Sequence, residues 1–94
     1  PWQKRVNHIE TKLKQGLEPC KGLDTAADVR VMGAIGVVEM KEPMDMLKVQ
    51  AQLLDQGVWL RPFGKLLYTM PPFIISDADL DIITLAMTQI AKFN

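Results

Sequence analysis

Arg61 sits in the run Trp59-Leu60-Arg61-Pro62-Phe63 and is the side chain best suited to chemistry in this sequence. A guanidinium cannot lose its charge, so among apolar neighbours it needs an acceptor. Its planar fork grips a carboxylate or a phosphate through two parallel hydrogen bonds. Pro62 and Gly64 follow it, and a rigid turn on a hairpin is a good platform for a binding residue. The residues alone leave a second reading open, an ordinary ion pair with an Asp or Glu or a guanidinium lying over Trp59. Tyr68, beyond the turn, offers a hydroxyl that would meet a ligand or a backbone group. Lys65 follows Gly64, where a solvated ammonium is expected rather than the desolvated amine of covalent catalysis.

The other polar types exclude whole classes of active site. The 94 residues include one His, one Cys and one Ser, with 11 Lys+Arg balancing 11 Asp+Glu. One histidine cannot build a multi-histidine metal site, and Cys20 has no CxxC partner. A single cysteine also forms no internal disulfide, which fits a reducing cytoplasm. His8, Cys20 and Ser76 do not make a nucleophilic triad, because Ser76 stands where a helix cap belongs. Asp77, Asp79 and Asp81 crowd the positive end of the same helix; dipole compensation accounts for them without a metal. Zero net charge gives no general attraction for nucleic acid or an anionic membrane. No apolar run approaches the ~18 residues that a membrane span needs. Six methionines point to an adaptable interior or a buried interface. What remains is a small α+β module without a complete active site, expected as one domain over residues 1–94.

The elements that must hold Arg61 follow from periodicity. Trp2, Val6, Ile9, Leu13 and Leu17 recur at helical spacing, with Glu10 and Lys14 placed as an i,i+4 pair, and Gly16 and Pro19 predict a stop near Gly16. Residues 18–28 read as a polar connection anchored by Leu23. Residues 29–40, VRVMGAIGVVEM, read as one strand with Val29, Val31, Ile35 and Val37 on one face and Met32, Ala34 and Val38 on the other. Two apolar faces predict a central strand, covered on both sides or buried against a second domain. Gly33 and Gly36 predict a bulge or a close approach by another backbone. Asp45 predicts an N-cap, with Met44 and Val49 as a staple, Met46, Val49, Leu53 and Leu54 as the inner face, and Gly57 as the stop. A hairpin is expected next, with strands at 58–61 and 66–70 around a turn at 62–65, closed by Pro71-Pro72. Ser76 caps the last helix with Asp79 at N3 and Ile75 and Leu80 as the staple; Leu80, Ile83, Met87 and Ile90 form its buried stripe. The economical assembly is a small three-stranded sheet, antiparallel or mixed, with helices packed on it.

Two long runs carry a family resemblance. VRVMGAIGVVEM, followed after the second helix by QGVWLRPFGKLLYTMPPFII, resembles the C-terminal end of the adenosylmethionine-8-amino-7-oxononanoate aminotransferases, class III enzymes that use pyridoxal phosphate in biotin synthesis. Trp2-Gln3 and Ile9-Glu10 fit as well, so the resemblance covers nearly the whole chain. It implies the C-terminal portion of the small domain of a fold type I enzyme. Such an enzyme moves an amino group from S-adenosylmethionine to 8-amino-7-oxononanoate, giving 7,8-diaminononanoate; some relatives use lysine as donor.

The resemblance also assigns roles. Arg61 matches the arginine of the family's RPFG segment, which binds substrate carboxylate. Phe63 looks like an apolar wall of the same pocket, and Tyr68 matches a family tyrosine near it. Phe73 stands where relatives commonly have tyrosine, which puts any hydrogen bond through that hydroxyl in doubt. The cofactor-bonding lysine and the phosphate cradle lie upstream in the family, and Lys65 does not take that part. The fragment alone is therefore expected to bind no cofactor and to be inactive. Its expected partners are the remainder of its own chain and a second subunit of a homodimer. The rival readings are a self-sufficient α+β module that binds an anion or regulates, and a purely structural interaction domain. The isolated piece should also expose an apolar patch that its parent covers.

Overall fold

The computed structural model describes residues 2–56 and 60–93, with the side chains at positions 46, 53–56 and 61 also outside the description. The apolar stripe of the first segment forms α1, Trp2–Leu17, and its Ile9, Leu13 and Leu17 are fully buried. Trp2, the stripe's first member, remains 66% exposed. Pro19 opens a short 3-10 helix, Glu18–Gly22, after which the chain enters the sheet.

The run 29–40 is not one strand. It folds into a hairpin of β1, Ala26–Met32, and β2, Ile35–Met40, paired antiparallel. The reason lies in Gly33, whose φ of +56° suits the first central position of a two-residue hairpin turn. The reversal changes the faces. Val31 pairs with Gly36 and Met32 with Ile35, so Ile35 joins Met32 instead of Val31. Glu10 of α1 holds the turn by accepting the Gly33 N–H at 2.6 Å. Gly36 departs from the expected approach of another backbone: side chains crowd it, and a Cβ there would stand 3.1 Å from a methyl of Leu17.

α2, Met46–Gln56, begins where Asp45 accepts the backbone N–H groups of Leu47 and Lys48 at 3.1 and 3.3 Å. Met44 and Val49 are both buried, as a staple requires. Gly57, Val58 and Trp59 lie outside the described residues, as do the side chains of Met46, Leu53 and Leu54. The second hairpin follows as β3, Leu60–Phe63, and β4, Leu66–Thr69, around a two-residue turn at Gly64 and Lys65. Gly64 has a φ of +59°, the same device as Gly33.

Among the described residues the sheet therefore has four antiparallel strands in the order β1-β2-β4-β3, not the three expected. The extra strand is the first arm of the 26–40 hairpin. β3 is an edge strand, which is why Pro62 is tolerated within it.

α3, Asp77–Phe93, starts where Ser76 Oγ accepts the Asp79 N–H at 3.1 Å. Its Leu80, Ile83, Met87 and Ile90 are buried as the spacing requires. α3 lies parallel to α1 in a constant register. Arg5 donates to the Phe73 carbonyl, His8 meets Asp77 at 2.7 Å and Lys12 meets Asp81 at 3.0 Å. Further along, a Cβ on Gly16 would stand 2.4 Å from Thr84 Oγ1, and Cys20 Sγ lies 3.3 Å from Thr88 Oγ1. The offset is 68 or 69 residues at every step. Gly16 thus lets two helices touch, and α1 runs one residue past it. No helix among the described residues is long and apolar enough to cross a membrane.

Candidate functional site

The β3–β4 hairpin is fixed at its turn. The Lys65 carbonyl accepts the Met40 N–H at 2.6 Å and the Gly64 carbonyl accepts the Met44 N–H at 3.1 Å. Leu60 and Leu67 are buried beneath it and join the core that α1 and α3 build. A short edge hairpin is thereby held at both its turn and its inner face, which positions whatever its other face carries.

Register places the candidate residues. Arg61 stands opposite Tyr68, Tyr68 opposite Val37, and Val37 opposite Arg30. Phe63 pairs with Leu66, Leu66 with Glu39, and Glu39 with Asp28. Directly opposed positions belong to one face of a sheet, so positions 61, 63 and 68 share the face away from the helices. The side chain of Arg61 lies outside the description. Tyr68 is half-buried and Phe63 is 74% exposed. Alternation along β4 is as expected, with Leu67 fully buried beside Tyr68.

The sequence reasoning missed the charged group on that face. Arg30 donates to Asp28 at 2.8 Å and to Glu39 at 3.0 Å. These two carboxylates raise the already high pKa of the guanidinium, Glu39 contributing most. The signal was present as Asp28 and Arg30 at i,i+2, but it became readable only once 26–40 is a hairpin that brings Glu39 alongside. Arg30 is thus engaged by two acids within the same sheet face, its single positive charge balancing part of theirs.

The other candidates are explained by packing. Burial pushes the Cys20 thiol upward, so it is no thiolate nucleophile. Asp77 and Asp81 bond to α1, and Asp79 stands at the capped N-terminus. Among the described residues no group of three or more His, Cys, Asp or Glu is arranged to hold a metal. Lys65 is exposed in its turn. Phe73 is 48% exposed, and its carbonyl, not its ring, receives Arg5.

Comparison with known proteins supplies the family. A family model for class-III aminotransferases matches residues 1–91. A relative from Corynebacterium glutamicum, named adenosylmethionine-8-amino-7-oxononanoate aminotransferase, is 53% identical over 73 residues, 78% of this chain and 17% of its own length. One of the same name from Mycobacterium leprae is 46% identical over 90 residues, 96% of this chain and 21% of its own. The crystal structure of an enzyme of that name from Methanocaldococcus jannaschii superposes with a TM-score of 0.77 at 22% identity, over 96% of this chain and 24% of that one, a likeness of fold. The chain spans about a fifth of the length of the curated relatives it matches. On the match over residues 1–91 and these identities, the chain belongs to the class-III aminotransferase family.

Proposed function

We propose that this chain is the substrate-carboxylate-binding part of an aminotransferase that, at full length, transfers an amino group from S-adenosylmethionine to 8-amino-7-oxononanoate. The observation that carries the reading is the register of β3 on β4, which sets Arg61 opposite Tyr68 on a hairpin braced at its turn. The names of the Corynebacterium and Mycobacterium relatives support the substrate pair.

In this reading Arg61 grips the substrate carboxylate through two charge-assisted hydrogen bonds. Tyr68, one strand inward, places a hydroxyl where it donates to or accepts from the same substrate. Phe63 presents an apolar wall that excludes water and strengthens the ionic contact by lowering the local dielectric. All three act by holding and orienting the reactant; none moves a proton to or from the reacting atoms.

Pyridoxal phosphate, which the family implies, needs a lysine to carry it and a backbone cradle for its phosphate. The lysines here are exposed, except Lys12, which is half-buried and paired with Asp81. The residues of this chain do not fit the cofactor, and no step through it is assigned to them. In the proposed full-length enzyme the remainder of the chain holds it, a second subunit completes a homodimer, and the 94 residues alone are inactive.

The test is Arg61→Ala and Arg61→Lys in the full-length protein. Losing a bidentate charged contact should lower kcat/KM for the carboxylate substrates by about 1.5–3 kcal/mol, with cofactor content unchanged. Unaltered rates in both half-reactions would remove Arg61 from the site.

A further inference from the structure

The stripe of α1 outruns its cover. Ile9, Leu13 and Leu17 are sealed by the sheet and α3, but Trp2 and Val6 continue the same face beyond the end of the sheet. There they line a groove of about 340 Å³ with Met32, Ile35, Met70 and Phe73. Trp2 is 66% exposed, Met32 73% and Met70 59%, and among the described residues no ionisable side chain lines the groove. Contiguous exposed apolar surface of this kind marks an interaction site.

We propose that the groove seats the segment that immediately precedes Pro1 in the full-length polypeptide, through apolar side chains of that segment. The occupant follows from where the chain's ends lie. α1 and α3 are parallel, so Trp2 stands at the groove and Phe93 at the opposite end of the domain, where its carbonyl accepts Lys48 Nζ at 2.8 Å. A chain continuing from Trp2 begins at the rim of the groove, and one continuing from Phe93 does not. The matched relatives are about five times longer than the span they share with this chain, which leaves room in them for such a segment. A second copy is a poorer occupant. A stable dimer buries roughly 800 Å² on each partner, whereas this groove accepts only a few side chains. The inference rests on the chain's one-fifth share of its relatives and not on Arg61, so either assignment can fail without the other.

The test uses the full-length protein with p-benzoylphenylalanine in place of Met32, an exposed position where the ring should be accommodated. Irradiation and peptide mapping should give an intrachain cross-link to the residues just before Pro1. A cross-link between two chains, one to a different part of the same chain, or none at all would overturn the proposal. A second measurement covers a folding failure of that variant. In full-length protein, Met32→Cys should react with a maleimide at least ~10-fold more slowly than Leu47→Cys, which lies outside the groove and is 82% exposed. Equal rates would equally overturn it.

Discussion

The helical side of the molecule and its edge hairpin solve opposite problems. α1 and α3 meet at a constant offset, with three polar contacts at one end, a glycine against a threonine in the middle and a cysteine against a threonine beyond. These groups are spent on joining α3 and the residues that lead into it to α1 and the 3-10 helix that follows it. The β3–β4 hairpin spends only its inner face and its turn on the core, leaving positions 61, 63 and 68 on the other side. Surface that folding does not need is surface that can bind. The first region should therefore respond to substitution through stability, and the second through function.

The largest effect should come from emptying the helical side. Leu13 is fully buried between α1 and its neighbours, so Leu13→Ala should cost about 2–5 kcal/mol from lost transfer energy and a residual cavity. Urea unfolding of the 94-residue chain measures it, and a change under ~1 kcal/mol would mean that the core is not where it is drawn. Gly16→Ala tests the helix contact by adding atoms. Its Cβ would fall 2.4–2.6 Å from three atoms of Thr84, and overpacking of this kind costs ~1–3 kcal/mol. Thr84→Ala should relieve part of that cost in the double variant; additive losses would separate the two residues.

Smaller again is the cap. Ser76→Ala removes the acceptor of the Asp79 N–H and should lower stability by about 1 kcal/mol, with Ser76→Asp close to neutral. On the hairpin the comparison reverses. Phe63 is 74% exposed, so Phe63→Ala should change the stability of the chain by no more than ~0.5 kcal/mol while lowering kcat/KM of the full-length enzyme. A loss of stability without a loss of rate would make Phe63 a packing residue and blur the division between the two regions.

The elements whose signals are local were legible in the sequence. Ser76 and Asp45 cap their helices through contacts spanning two or three residues, and the 3.6-residue stripes of α1 and α3 name their own buried faces. The first hairpin was not legible, because Val31, Ile35 and Val37 alternate as well in one strand as in two. Only the backbone of Gly33 decides between them. Trp2 misled for a different reason: spacing identifies an apolar face but not how far along it the cover extends. The charged trio Asp28, Arg30 and Glu39 depended on pairing across that unforeseen hairpin. Arg61 and Tyr68 were found separately in sequence, and the β3–β4 register sets them opposite each other.

The finest distinction between the two regions is electrostatic. Asp77 accepts from His8 at 2.7 Å, and that bond, opposed in part by desolvation, holds its carboxyl below the usual carboxylate range. A carboxyl depressed by folding stabilises the native state above its unfolded pKa. That contribution is lost as pH falls through the depressed folded value. Asp77→Asn removes the titration but leaves the helix, so the stability gap between parent and variant should be widest above the ordinary carboxylate range and should narrow as pH falls through the depressed folded value. Glu10, also lowered by its bond to the Gly33 N–H, titrates in both proteins and cancels from the difference. Urea midpoints at half-unit pH steps resolve the gap. A gap constant over the whole range would show that Asp77 works through its shape and its place at the helix start rather than its charge. The clasp between α1 and α3 would then rest on Lys12 with Asp81 and on packing.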